Sequence, residues 1–489
     1  MKTPGVPIQS SLTQAGSAKH LRESGAKPGE SGVRETPSVL IEKYDVPGPR
    51  YTSYPTVPAW NVERFSADAW RERVQGTFAR AESRGGISLY VHLPYCESLC
   101  TFCGCTKRIT RNHRVERPYV EAVLREWDLY RSLFCEPPKL RELHFGGGTP
   151  TFFSPESLDA LARGLLEGAQ IPPDREFGFE AHPNSTTPEH LEALKAHGFE
   201  RLSLGVQDLD PRVQDAINRI QPLENVAAVT DAARRLGYKS INFDLVYGLP
   251  MQRMESVTGT IEAILPLAPE RIAFYGYAHV PWIKGVGQRK FREEDLPSGS
   301  EKLRLYQTGR AMLEAAGYSD IGMDHFAFES DSLLIAARNG TLHRNFMGYT
   351  PVHTLLTVGL GMSAIGDSWD AFAQNEKDIP RYLERVMAGQ LPVFRGHVLD
   401  SEDKLLRKHI LSLMCRFETE WNDRDLEHPA FRESLERLAE LEADGLVCVD
   451  SNHLQVTESG RTFVRNICMA FDARLWRASP ESRLFSRVI

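Results

Sequence analysis

No stretch of the 489-residue sequence has the roughly 18 consecutive apolar residues a membrane-spanning helix needs. The N-terminus also lacks a charged-then-apolar leader, so a cytoplasmic protein is expected. Basic residues are not in excess: 58 Lys and Arg face 65 Asp and Glu, a net charge of -7. That balance argues against a general nucleic-acid or membrane-surface role. Cysteine is scarce, eight in all, and Cys135, Cys415, Cys448 and Cys468 are too scattered for a disulfide framework. Reduced thiols are therefore expected.

What the chain does have is a 41% share of hydrophobic residues, enough for a sizeable core, and a length beyond one ordinary domain. The other four cysteines crowd into ten residues, at Cys96, Cys100, Cys103 and Cys105, directly after an apolar run at Ser88–Val91 that reads as a strand. Such density has three ordinary explanations. A zinc site usually sets its ligands in two short pairs across a longer loop, a redox dithiol needs one pair, and an iron–sulfur cluster takes several thiolates. Composition leaves the three level.

Residues 1–37, rich in Ser, Gly, Pro and charge without an apolar period, read as a disordered tail. A strap and helix follow over 38–84, with three Pro and three Tyr between Lys43 and Thr56, then Trp70, Val74 and Phe78 at four-residue spacing. Over 85–300 strand-like runs near 88–92, 141–145, 176–181, 201–206, 241–247 and 271–277 alternate with helical patterns. Ser154-Pro155 and Thr187-Pro188 mark helix starts, and Gly198 and Gly237 mark helix ends.

The expected fold class is α/β, a partial (β/α)6 TIM-like barrel, open on one side, with chemistry at the strand C-terminal ends. Polar or special residues do follow the successive strands: the cysteines, Gly146 to Thr149, Glu180, Gln207, Asp244, and Ala278 with His279. Residues 301–398 read as a segment completing the site, and 399–489 as a small, mainly helical, winged-helix-like unit. Eight Arg, no Lys and nine acidic residues over 431–489 favour a packing role over DNA binding there.

The spacing Cys96-x3-Cys100-x2-Cys103, with Phe102 before the third cysteine, resembles the signature of the radical S-adenosylmethionine (SAM) enzymes. Within that superfamily the chain resembles the oxygen-independent coproporphyrinogen III oxidases. The segments that carry the likeness are GPRYTSYPT (48–56), YVHLPYCESLCTFCGC (90–105), HFGGGTPT (144–151), LSLGVQD (202–208), FDLVYGLP (243–250), YAHVP (277–281), GMDHFA (322–327), LHRNFMGYT (342–350) and RNICMAFD (465–472). The strap and Cys105 resemble the enzymes rather than the related haem chaperones.

The resemblance implies a radical SAM barrel holding a [4Fe-4S] cluster on Cys96, Cys100 and Cys103, and two SAM molecules. It implies a porphyrinogen substrate, an electron donor such as a flavodoxin or ferredoxin system, and a monomer. Cys105 matches the family's fourth cysteine. Tyr90, Gly148, Thr149 and Glu180 would position the SAM on the cluster. Phe102, Gln207, Arg219, Asp244 and Ala278 would line the SAM region with its second site, and Ile365 would contact adenine. For a tetracarboxylate substrate, Arg50, Tyr51, Tyr54, Lys284, Arg289 and Arg344 are the anchor candidates. The chain departs from the pattern at Met347, where glutamine is familiar, in the apolar segment 351–356, and at Ala181-His182-Pro183-Asn184. The alternatives are another radical SAM enzyme on this scaffold, such as a two-SAM methyltransferase or a haem-modifying enzyme, or a haem chaperone.

Overall fold

The computed structural model describes residues 38–83, 85–282, 287–288, 290–478 and 484–488, which lie in one unit, Thr36–Ile489. The tail read at 1–37 lies outside the described residues. So do Lys284 and Arg289. Among the described residues no helix is long and apolar enough to cross a membrane.

Six strands form the frame: β1 (Ile87–Leu93), β2 (Leu140–Gly147), β3 (Glu176–Ala181), β4 (Arg201–Gln207), β5 (Ser240–Tyr247) and β6 (Arg271–Gly276). They lie side by side in chain order, each pair parallel, so all six C-terminal ends share one rim. Parallel neighbours need a crossover, and the intervening helices supply it. Two begin where the sequence marks them. Ser154 accepts from the Ser157 N–H ahead of Pro155, and Thr187 caps a helix that starts at Pro188. Gly198 and Gly237 close helices at φ of +85° and +77°, the left-handed region that glycine takes without strain.

The sheet is wider than six strands. Past β6 come β7 (Ser319–Gly322) and β8 (His325–Ala327), antiparallel; β9 (Thr357–Leu360) lies parallel to the other side of β1 and is extended by antiparallel β10 (Ile365–Asp367), β11 (Ala371–Asn375) and β12 (Val393–Val398). The resulting order is β12-β11-β10-β9-β1-β2-β3-β4-β5-β6-β8-β7. β1, which carries the cysteine loop, is thus an interior strand, and every residue in it except Tyr90 is buried.

The helix Ala67–Ser83 buries Trp70, Val74 and Phe78, each burial stabilising by roughly 1.5–3 kcal/mol. Its Trp70 Nε1 donates to the Tyr130 hydroxyl at 2.9 Å. Towards the C-terminus, helices Ser401–Arg416 and Pro429–Ala443 accompany a three-stranded sheet of Glu418–Glu420, Val447–Val449 and His453–Val456. The strap is docked on this region. Arg465 donates to the carbonyls of Gly48 and Pro49, and Asn466 to that of Tyr44.

Candidate active site

Beyond β1 the chain turns through the cysteines and is closed by a two-residue parallel pairing, Tyr95–Cys96 with Arg108–Ile109. This loop forms one wall of a cavity of about 400 Å³ at the rim. Cys96, Cys100, Cys103 and Cys105 line it together with Phe102, Gly147, Gly148, Thr149, Glu180, Ser203, Gln207, Arg219, Asp244 and Tyr275. The structure therefore gathers residues from the loop after β1 through to β6 that the sequence separates by up to 179 positions, Cys96 to Tyr275.

The glycine turn after β2 is packed as closely as backbone allows. A Cβ on Gly148 would come within 2.6 Å of the Pro94 carbonyl and 2.9 Å of the Tyr95 oxygen, so only glycine fits. Its N–H groups are already engaged: Gly147 N donates to Glu180 Oε2 at 3.2 Å, Gly148 N to Leu93 O at 2.8 Å, and Thr149 N to Tyr95 O at 3.0 Å. Carbonyl oxygens are what this turn has left to offer a ligand. The Thr149 hydroxyl donates to Cys96 Sγ at 3.3 Å.

Glu180 stands opposite Ser203 in the β3–β4 register. Burial would raise its carboxyl, but the contact from His144 at 3.5 Å, the charge of that ring and the Gly147 N–H outweigh burial and hold it below the usual value. Asp244 is pushed up to about 6 by burial and by the Glu180 charge, against bonds from Ser203 (2.9 Å) and Asn242 (2.8 Å). Gln207 sits at φ +67°, a strained conformation for a non-glycine residue, at a bulge in the β4–β5 register. Arg219 donates to Gly205 O and Gln221 Oε1, and its Nη1 lies 3.6 Å from Cys100 Sγ.

The thiols differ in environment. Burial pushes Cys96 up to about 11, while the Cys105 thiol bonded to Cys103 holds Cys103 down, with Cys105 itself pushed well above its ordinary value. Among the described residues no three His, Cys, Asp or Glu groups converge tightly enough for a single metal ion. The ligands of a multi-iron cluster stand farther apart than those of one ion, so a thiol-walled cavity of this size suits a cluster better.

Other expected residues fall elsewhere. Tyr90 stacks on His144 at 12° and 6.3 Å, and its hydroxyl meets His92 Nδ1 at 3.1 Å. The Ala278 carbonyl accepts from Gln288 Nε2, which also bonds Phe102 O at 2.6 Å and so ties the cysteine loop to the end of β6. Ile365 does not line the thiol cavity; it packs with Trp60, Phe346 and Phe372. Tyr51 and Tyr54, expected on the substrate side, are each only 2% exposed. Their aromatic rings are drawn into the interior, where Tyr51 donates to Asp472. Arg344 is likewise buried, over the Tyr349 ring, with Nε and Nη1 lacking a hydrogen-bond partner. Arg50 pairs with Asp324 at 3.1 Å and lines a separate small cavity.

His92, His144, Ser203, Asn242 and Gln288 were missed in the sequence. His92 had a signal, being two positions from Tyr90 and so on the same face of a strand. Asn242 had the same signal, two positions before Asp244 on β5, whereas His144, Ser203 and Gln288 depend on register and loop closure. A second cavity of about 130 Å³ shares Glu180, Ser203, Asp244 and Tyr275 with the first and is lined by Met347.

Comparison with known proteins decides the family. Residues 90–264 match the radical SAM superfamily, and residues 399–463 match the HemN C-terminal domain. The chain is 41% identical over 457 residues to the oxygen-independent coproporphyrinogen III oxidase of Escherichia coli strain K12, covering 92% of this chain and 98% of that protein. This chain belongs to the oxygen-independent coproporphyrinogen III oxidase family. The Helicobacter pylori (strain 26695) oxidase is 39% identical over 444 residues, 89% of this chain and 96% of that one. In three dimensions the fold is similar to the solved E. coli coproporphyrinogen III oxidase (HemN), a radical SAM enzyme, with a TM-score of 0.82 at 39% identity over 89% of this chain and 98% of that one. A [4Fe-4S] cluster and SAM are the cofactors of a family with this chemistry.

Proposed function

We propose that the protein oxidatively decarboxylates two propionate side chains of coproporphyrinogen III to vinyl groups, giving protoporphyrinogen IX without oxygen. The observation that carries this is the thiol-walled cavity at the rim, with Glu180 and Asp244 facing it and a second cavity opening from the same residues. The residues present fit the cofactors: Cys96, Cys100 and Cys103 supply thiolates, and the glycine turn, where a Cβ would collide with Glu180, His92 or Pro94, brings bare backbone to the cavity wall. When bound, the cluster and SAM would supply a 5'-deoxyadenosyl radical to take a hydrogen atom from the propionate β-carbon, the carboxylate then leaving as carbon dioxide as one electron passes to an external one-electron acceptor.

The protein's own groups bind, orient and shield. Carbonyl oxygens of the Gly146–Gly148 turn and the Glu180 carboxylate accept from the ammonium and hydroxyl groups of SAM. Tyr90, pinned by His92 and His144, lies behind the turn, where its ring is 3.2 Å from a Cβ built on Gly146, and would brace it. Asp244, Gln207, Arg219 and Phe102 shape the space beside it, where a second SAM would lie. Met347 lines the smaller adjoining cavity, where its thioether offers apolar contact rather than a hydrogen bond. Cys105 lines the same cavity wall two residues beyond Cys103, so its thiol would act beside a cluster thiolate rather than as a fourth ligand.

The test is product analysis after anaerobic reconstitution. Protoporphyrinogen IX, with two SAM consumed per product, supports the reading. A methylated porphyrin, or haem binding without turnover, overturns it.

A further inference from the structure

We propose that the exposed basic segment Lys107–Arg117 is the docking surface for a small acidic one-electron carrier protein that reduces the cluster. This rests on the function proposed above, which requires that electrons reach the cluster one at a time. Lys107, Arg108, Arg111, Arg114 and Arg117 fall within eleven residues of a chain whose net charge is -7. Arg108, Arg111, Arg114 and Arg117 are exposed. Of these, Arg117 is paired with Glu121. Of the neighbouring carboxylates, Glu116 is buried and turned inward to Ser154 N and His113, while the exposed Glu97 and Glu121 face His113 and Arg117 and leave Arg108, Arg111 and Arg114 as the charge of the patch.

Placement gives this charge its meaning. Residues Arg108–Ile109 pair directly with Tyr95–Cys96, so Ile109 is the register partner of the first cluster cysteine. The Lys107 ammonium, at the cavity wall, bonds the carbonyls of Cys103 and Cys105 at 3.1 and 3.2 Å and ties the start of the segment to the cysteine loop. Electron transfer falls steeply with distance, and this strand brings protein surface within one β-pairing of a thiolate ligand. Ile109, 38% exposed, gives an apolar contact point next to Arg108 and two positions from Arg111. A small apolar centre with a charged rim is the arrangement of transient redox encounters, in which complementary charge governs the on-rate more than the affinity. A basic rim selects a partner with an acidic face around its redox centre.

The probe is a bacterial flavodoxin in its hydroquinone form, mixed anaerobically with the reconstituted protein while cluster absorbance near ~400 nm is followed. Arg108→Glu/Arg111→Glu/Arg114→Glu should slow reduction by flavodoxin by about tenfold or more at low salt, and the salt dependence of the wild-type rate should largely vanish. An uncharged photoreduced deazaflavin should reduce both proteins equally. Flavodoxin binding to the cluster-free protein should weaken in parallel. Equal flavodoxin rates or binding in variant and wild type, or equal slowing with deazaflavin, would overturn the proposal. Failure of the wild-type protein to assemble a cluster would count against the function instead, and the binding measurement would still decide the docking surface.

Discussion

Arg219 Nη1 lies 3.6 Å from the sulfur of Cys100, and the same guanidinium is held in place by the carbonyl of Gly205 and the side chain of Gln221. A fixed positive charge beside a cluster thiolate favours the reduced, more negative state. Arg219→Leu should therefore shift the cluster potential downwards by on the order of tens of millivolts, read by redox titration of the reconstituted protein. An unchanged potential would show that Arg219 serves only to brace the loop. The Gly205 side of that brace is tight, since a Cβ there would meet the Arg219 Nη2 at 2.7 Å.

Four thiols line one cavity, yet the proposed roles divide them three to one. Cys100→Ala should abolish the broad cluster absorbance near ~400 nm and reduce the iron content. Cys105→Ser should keep that absorbance and iron while altering the cluster potential, because a neighbour of the cluster is changed rather than a ligand lost. Iron analysis and the visible spectrum of the two variants check this; a full cluster in Cys100→Ala, or none in Cys105→Ser, contradicts the division.

Glu126 is a buried carboxyl away from the cavity, receiving Gly361 N, the Tyr382 hydroxyl and Asn375 Nδ2. Burial pushes it up to about 8 from an ordinary 4.5, with those three bonds opposing. Between these values the folded state holds a proton that the unfolded chain has released, so stability is fully present below 4.5 and is lost as pH rises through about 8. The slope is on the order of 1.4 kcal/mol per pH unit. Denaturant unfolding across pH 5–8 should show this decline, and Glu126→Gln should flatten it. The same slope in the variant would assign the decline to other groups.

The frame of the fold was legible because its signals are local. Six strands of six to eight residues, proline after a capping hydroxyl, and glycine at helix ends all fall within a few residues. The flanking strands were not, because β7 to β10 are only three or four residues long, too short for a period to register. The parallel pairing of β9 with β1 joins Thr357 to Ser88, a contact that no local pattern encodes. Within the site, residues at strand ends were readable from topology alone, but their cross-strand partners were not: Ser203 reaches Asp244 from the neighbouring strand, whereas Asn242 reaches it from two positions earlier on the same strand. The strap misled for a physical reason. Tyr51 and Tyr54 sit in a recognisable segment, but their large apolar rings are buried in the interior, and Tyr51 reaches Asp472.

The central claim is that the cavity beside Cys96, Cys100 and Cys103 directs a radical to the β-carbon of a propionate. Coproporphyrinogen III deuterated at the propionate β-carbons tests it most directly, with the isotope content of the released 5'-deoxyadenosine measured by mass spectrometry. The account predicts one deuterium transferred to 5'-deoxyadenosine for each vinyl group formed. Unlabelled 5'-deoxyadenosine accompanying vinyl product, or a product that keeps both β-deuterons, would contradict it.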